Sequence, residues 1–358
     1  MKTFYCDACG ALIFFENTKC VQCGHDLGFI ADALDMSALE PAGQQGIWRA
    51  LSAGAKNGQF RLCQNGQSHQ ACNWLVPAND PNAFCTSCQL NRTIPDLSVT
   101  GNRERWLKLE KAKRRLLYTL LTLKLPVTGD PGQNRPPLKF DFLANPPGGP
   151  AILTGHEHGL ITLNIAEADD SERERRRHDL REPYRTLLGH FRHEVGHYYW
   201  DQLIANTPRL PCFRELFGDD SADYGTALKN YHAQGAPADW QTRLISEYAS
   251  AHPWEDWAES WAHYLHMVDT LETAASFGVS LRPKHPAAKT MSAQPKPATE
   301  ADADFAKILE AWFPLTYALN TLNRGMGLPD LYPFILSTPA IEKLKFIHET
   351  VKAVQNHR

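Results

Sequence analysis

Three residues at one place in the chain have the types and spacing for metal chemistry. They are His193, Glu194 and His197, in the run His193-Glu194-Val195-Gly196-His197. Positions i and i+4 of a helix lie on one face, so both imidazoles can reach a single zinc ion. Glu194 follows the first histidine directly. Its carboxylate can flank the metal without ligating it, where it can take a proton from water. A catalytic zinc takes three protein ligands and keeps a fourth position open. Two candidates for the third stand downstream, Glu255 and Glu259, at i and i+4 of another helical segment. One should ligate, and the other should brace a histidine or pack nearby. A three-histidine set using His252 is the rival. Asp201 is a candidate acceptor for the outer nitrogen of His193 or His197.

Eight of the nine cysteines form two further sets. Cys6-x-x-Cys9 and Cys20-x-x-Cys23 are two knuckles, each presenting a pair of thiolates to one metal. Gly10 and Gly24 follow them, where such a turn needs an unhindered backbone. Four thiolates close a tetrahedral structural zinc site, and a module this small depends on the metal to stay folded. It resembles a zinc ribbon. Cys63, Cys72, Cys85 and Cys88 supply a second four-cysteine set with one C-x-x-C knuckle and one looser half. The expected complement is therefore three Zn2+, one catalytic and two structural. Cys212 stands alone and reads as a buried small hydrophobe.

These residues need elements to carry them. Residues 183–206 read as one helix, with Pro183 at its first turn and Leu187, Phe191, Val195, Tyr198 and Leu203 as its apolar stripe. A helix from about Pro253 carries Glu255 and Glu259, with acidic residues in its first turn. Residues 102–124 form a long helix whose Lys111, Lys113, Arg114 and Arg115 read as a solvated face. Residues 138–165 read as strands, with a pair joined through Gly155–Gly159. The strand Leu160–Ile165 precedes the H-E-x-x-H helix, where resemblance to zinc peptidases implies an edge strand along which a substrate peptide could pair. The side chains of His156 and His158 should diverge on that turn, so neither is taken as a ligand. His190 reads as a surface or packing residue. Residues 167–182 are charge-dense, residues 212–232 suggest one more helix, and helical patterns return at 304–324 and 339–354. The implied order is a zinc ribbon at 1–28, a connector at 29–60 with a short helix near Ala31–Leu39, and a second zinc module at 61–100. The domain that carries the H-E-x-x-H motif follows at 101–282, then a Pro/Ala/Lys-rich flexible loop at 283–303 and C-terminal helices at 304–358 of the same domain.

Bulk properties narrow the function. The 358 residues are 43% apolar and include nine tryptophans, enough for a substantial core. Residues 1–100 hold six Lys/Arg and eight Asp/Glu. Their balance of −2 lacks the basic footprint of nucleic-acid binding. The start, MKTFYCDACG, has no apolar signal stretch. The most apolar run, Leu116–Leu125, is too short to span a bilayer. The expectation is a cytoplasmic protein, without membrane association, whose cysteines bind metal rather than form disulfides.

The two helical motifs together, HEVGHYYWD and then Tyr248 with Glu255-Asp256-Trp257-Ala258-Glu259, resemble the gluzincin metallopeptidases, closest to the lethal-factor type. There an E-x-x-A-E helix follows the H-E-x-x-H helix and its first glutamate ligates zinc. A tyrosine seven residues earlier faces the scissile carbonyl. The resemblance thus implies Glu255 as third ligand, Tyr248 at the oxyanion and Glu259 in support. The whole layout resembles a bacterial family of zinc-binding metallopeptidases with an N-terminal zinc ribbon. What this implies is an α+β zincin-like domain, a small mixed sheet plus active-site helices, preceded by four-cysteine modules. The implied activity is zinc-dependent hydrolysis of a peptide or protein substrate, with Glu194 as general base. An adaptor whose zinc modules bind a protein partner, with an H-E-x-x-H site that does not turn over, is the alternative.

Overall fold

The computed structural model describes all residues except 56, 130, 131, 133, 134, 147, 171, 172, 174–185, 299–303, 357 and 358. The chain begins with a two-stranded ribbon, β1 (Phe4–Tyr5) and β2 (Leu12–Ile13), that frames the first four cysteines. Five short strands follow as an antiparallel meander: β3 (Asp26–Ile30), β4 (Asp35–Pro41), β5 (Trp48–Ala50), β6 (Gln59–Leu62) and β7 (Leu75–Pro77). A parallel bridge from Phe29 to Trp74 brings the last strand back to the first. Residues 29–60 are therefore sheet rather than a connector, and of the short helix expected near Ala31–Leu39 only a 3-10 turn, Ala31–Ala33, forms. Ala, Met and Leu in this stretch suit a helix locally, but pairing and burial of Met36, Ala38 and Leu39 override that preference. Helix α1 (Gln64–His69) separates Cys63 from Cys72 and supplies the looser half of the second cysteine set.

The second cysteine set leads straight into the next sheet. β8 (Asn91–Thr93) starts three residues after Cys88 and pairs in parallel with β9 (Lys139–Leu143). β11 (Leu160–Asn164) pairs with β9 in parallel and with β10 (Gly155–Glu157) antiparallel. The result is a four-stranded mixed sheet in the order β10-β11-β9-β8. β10 is the edge beside the later strands, and β11, expected as that edge, lies inside. His158 and Gly159 both take positive φ, 47° and 82°, in the tight turn joining the two.

Helix α2 (Asn102–Thr122) meets this sheet at Lys113, whose ammonium lies over the Phe140 and Phe142 rings of β9. Its basic run is a solvated face only in part: Lys111 is exposed and Arg115 half-buried, but Lys113 and Arg114 are buried, and Lys113 pairs with Glu110 and Asn91. Helix α3 (Leu187–Leu203) carries the H-E-x-x-H motif. Thr186 caps it, its hydroxyl accepting from the Gly189 N–H at 2.9 Å. The helix start expected at Pro183, and most of the charge-dense run, lie outside the described residues. The helix expected at 212–232 is two: α4 (Leu210–Phe217), ended by Gly218 at φ 106°, and α5 (Tyr224–Gln234), capped by Asp223. Cys212, expected to be buried, is exposed.

Helix α6 (Pro253–Ser276) lies against α3. α7 (Phe305–Gly325) and α8 (Thr338–Asn356) close the C-terminal side, with Lys343 of α8 paired to the buried Asp256 of α6 at 2.5 Å. The segment expected as a flexible loop carries a short 3-10 stretch, Pro286–Met291, and a bridge from Leu281 to Ala293. One apolar core runs from Phe4 through Trp74, Trp106, Phe140, Tyr198 and Trp261 to Val351. The cysteine-bearing and helical halves thus share buried surface. No helix among the described residues is long and apolar enough to cross a membrane.

Candidate metal centre

Helix periodicity puts His193 and His197 on one face of α3, and the crossing of α3 with α6 brings Glu255 to them. Gly196 makes this approach possible. A Cβ there would lie 2.9 Å from the Ala258 Cα and 3.2 Å from the Trp261 Cβ of α6. Trp257 Nε1 donates to the Gly196 carbonyl at 2.8 Å and ties the two helices together. Both helices are buried here, with Val195, Trp257 and Trp261 fully inside.

The ligand atoms converge. His193 Nε2 is 2.9 Å from Glu255 Oε2, His197 Nε2 is 3.5 Å from it, and the two Nε2 atoms are 3.2 Å apart. Zinc bonds of about 2.0–2.1 Å in a tetrahedron separate neighbouring ligand atoms by about 3.3 Å, which these spacings bracket. Glu255 Oε2 is buried and faces the two imidazole nitrogens, with no hydroxyl or amide donor on it. A buried carboxylate oxygen left in this way is costly unless a cation meets it. The residues fit a zinc ion.

Two of the three ligands are hydrogen-bonded from behind, and His197 is packed by a ring. The His193 Nδ1–H donates to Glu259 Oε1 at 2.6 Å, and Ser246 Oγ donates to Glu259 Oε2 at 2.6 Å. That bond sets the tautomer that leaves Nε2 free for metal. Burial opposes the charge on His193, but hydrogen bonds to Glu255 and Glu259 raise its pKa well above the ordinary value. Glu255 Oε1 accepts from the Tyr224 hydroxyl at 2.5 Å, so only Oε2 is left for a metal. Trp254 packs its ring 3.9 Å from that of His197. Glu194 is buried, and His190 Nε2 lies 3.1 Å from its Oε1. Burial raises the Glu194 pKa, and the His190 hydrogen bond together with the charges of His190, His193 and His197 more than offsets this, so the carboxyl stays below its usual range.

The other sequence candidates divide, Tyr248 lying beside the triangle and Asp201 and His252 away from it. Tyr248, half-buried in a 3-10 turn, lays its ring 5.8 Å from the His193 ring and meets the Tyr224 side chain. Asp201 is not brought to His193 or His197; its nearest histidine is His156, at 4.0 Å. Burial lifts the Asp201 carboxyl to about 6. His252 caps α6, its Nδ1 accepting from the Trp254 N–H at 3.1 Å and its Nε2 meeting the Ala222 carbonyl. It stands outside the ligand triangle. His156 is buried beside His197, its Nε2 accepting from the Gly159 N–H at 3.0 Å. His190, expected as a surface or packing residue, is bonded to the base candidate instead. Tyr224, Ser246 and Glu167 were not legible in advance, because each meets the site only through the fold.

The cysteine sets assemble as well. Sγ atoms approach to 3.6 Å for Cys6–Cys23, 3.7 Å for Cys9–Cys20 and 3.5 Å for Cys72–Cys85. A disulfide needs about 2.05 Å, whereas thiolates around one zinc stand about 3.8 Å apart. In both sets the four Sγ atoms lie within 4.8 Å of one another. Cys63, Cys72, Cys85 and Cys88 are all buried, while Cys9 and Cys23 are exposed.

One family model, described as "Putative zinc-binding metallo-peptidase", matches residues 102–350, and a zinc-ribbon domain model matches residues 3–99. The chain belongs to this zinc-binding metallopeptidase family. Uncharacterized proteins of Mycobacterium tuberculosis and Mycobacterium bovis are 42% identical to it, over 99% of this chain and 96% of theirs. No solved structure matches the chain. The family match covers both helices of the ligand triangle, and the zinc-ribbon match covers both four-cysteine sets. Zinc is the metal that the family and the thiolate clusters call for.

Proposed function

We propose that this protein hydrolyses peptide bonds at a zinc ion held by His193, His197 and Glu255, with Glu194 as general base. The observation that carries the reading is the triangle of two imidazole nitrogens and the buried carboxylate oxygen that faces them, with Glu194 on the helix that bears the histidines. Zinc bound there would supply Lewis acidity and lower the pKa of a water to about 7. Glu194 then takes a proton from the attacking water and returns it to the leaving amine. Tyr248, whose ring lies beside that of His193, donates to the carbonyl oxygen as charge builds on it. Glu259 holds His193, and Tyr224 holds Glu255 so that it offers one oxygen. The edge strand β10 offers its main chain to an extended peptide or protein substrate. The two cysteine sets each hold a structural zinc. The second does so where it anchors β8 to the catalytic sheet.

Glu194→Gln is the test. It should retain all three zincs and lose hydrolysis by about 10²-fold or more. A wild type that holds three zincs yet cleaves nothing in a broad peptide library would favour a zinc-held adaptor without turnover. A Glu194→Gln variant as active as wild type would remove Glu194 from the mechanism.

A further inference from the structure

His190 joins two buried carboxylates. Its Nε2 meets Glu194 Oε1 at 3.1 Å, and its Nδ1 meets Glu167 Oε2 at 2.5 Å. Glu167 side chain is 3% exposed, and its second oxygen accepts from Thr154 Oγ1 at 2.6 Å. Thr154 Oγ1 in turn accepts from the Asn164 N–H at 3.2 Å, where β11 ends. Glu167 itself sits in the 3-10 turn Ile165–Ala168, which the Asn164 side chain caps by accepting from the Ala166 N–H. A line of hydrogen bonds thus runs from the end of the catalytic sheet, through His190, to the carboxylate of Glu194.

Such an arrangement is expensive unless every member is satisfied. A packing role for position 190 would be met by an apolar ring, without a second buried glutamate. His190 lies one turn before Glu194 on α3, so it can reach the base without crossing the ligand triangle. It occupies one carboxylate oxygen and leaves the other. A carboxylate bonded at one oxygen is fixed in rotation, and fixing the base within hydrogen-bond reach of water is what proton transfer requires.

We propose that His190, held by Glu167, is a positioning residue for Glu194: it binds Oε1 and so commits Oε2 to the attacking water. This rests on the peptidase reading given above. It adds a Glu167–His190–Glu194 relay that the two metal-binding motifs do not contain.

The test uses the full-length, zinc-loaded chain. His190→Phe keeps the ring volume and removes both hydrogen bonds; His190→Gln keeps a donor near the Nε2 position. His190→Phe should lower kcat by about 10–100-fold with KM within about twofold and zinc content unchanged. His190→Gln should recover much of the loss. A second readout does not need turnover. In protein with 15N-labelled histidine, the ring signals assigned to His190 by the Phe variant should move in both Glu167→Gln and Glu194→Gln. Unchanged kcat in His190→Phe, or a loss confined to KM or to zinc content, overturns the proposal and leaves the peptidase reading standing. His190 ring signals that ignore Glu194→Gln overturn it whatever the activity. A wild type that cleaves no peptide removes both together.

Discussion

Gly196→Ala probes how closely the two ligand-bearing helices must approach. The new methyl carbon would sit 2.9 Å from the Ala258 Cα and 3.3 Å from the Ala258 carbonyl oxygen. Both are backbone atoms, so no side chain can rotate away. Ordinary contact begins near 3.4 Å, so α3 and α6 must part by about 0.5 Å at this point, an overpacking that costs about 1–3 kcal/mol. For a domain of this size that is a fall in Tm of roughly 2–12 °C. The same separation opens the triangle, because His193 and His197 ride on α3 and Glu255 on α6. Their present spacings, 2.9 and 3.5 Å, would lengthen together. Zinc affinity at this site should fall by about 10–100-fold, as for losses of ligand support elsewhere. Competition with a chromophoric chelator measures that constant, and a thermal melt measures the fold. Ala258→Gly should not rescue the variant, since it removes neither clashing atom. A Gly196→Ala protein with wild-type zinc affinity and Tm would refute the claim that this contact sets the triangle.

Three further outcomes follow from the same geometry. Glu259→Ala removes the acceptor of the His193 Nδ1–H and should weaken the catalytic-site zinc by about 10–100-fold. A variant that keeps its zinc through the same chelator titration as wild type would exclude that role. A chelator should strip zinc from Cys6–Cys23 before Cys63–Cys88, because Cys9 and Cys23 are exposed and the second set is buried. Release curves for a Cys9→Ser and a Cys72→Ser protein identify the fast phase, and loss of the fast phase in the second protein would contradict this order. The fold should also weaken in mild acid. Burial depresses the His263 pKa to about 4, with Glu259 raising it and Arg192 lowering it. A histidine depressed in the fold contributes stability present above its ordinary pKa of about 6.5 and lost as pH falls toward 4, worth about 3 kcal/mol. His263→Phe should therefore flatten the fall in Tm between these pH values. Parallel Tm curves for the two proteins would rule the contribution out.

What could be read from the chain alone is what local geometry determines. A helix repeat of 3.6 residues puts His193 and His197 on one face wherever that helix lies. A C-x-x-C knuckle gathers its two thiolates through one turn, which is why Cys6/Cys9, Cys20/Cys23 and Cys85/Cys88 were visible before any fold, whereas Cys63 and Cys72 meet only through the helix between them. The alternation of Lys139–Leu143 and the glycines at 155 and 159 marked strands and their turn for the same reason. Pro253 marked the start of the second helix because its fixed φ and missing N–H suit a first turn.

The tertiary structure decided what depends on how elements cross. Glu255 and Glu259 share a helix face, and nothing local ranks them. The Gly196–Ala258 contact sets the height at which α6 meets α3. At that height Glu255 faces the two Nε2 atoms, and Glu259, one turn further on, reaches His193 from behind. The strands of residues 29–60 exist only because each finds a partner strand, against a composition that favours helix. β10 became the edge, rather than β11, because β9 took the far side of β11 in parallel. Tyr224 lies 31 residues before Glu255 and Glu167 lies 27 before Glu194, separations at which sequence carries no geometry. Lys113 looked solvated because charge usually is; it is buried because Glu110 and Asn91 wait for it inside.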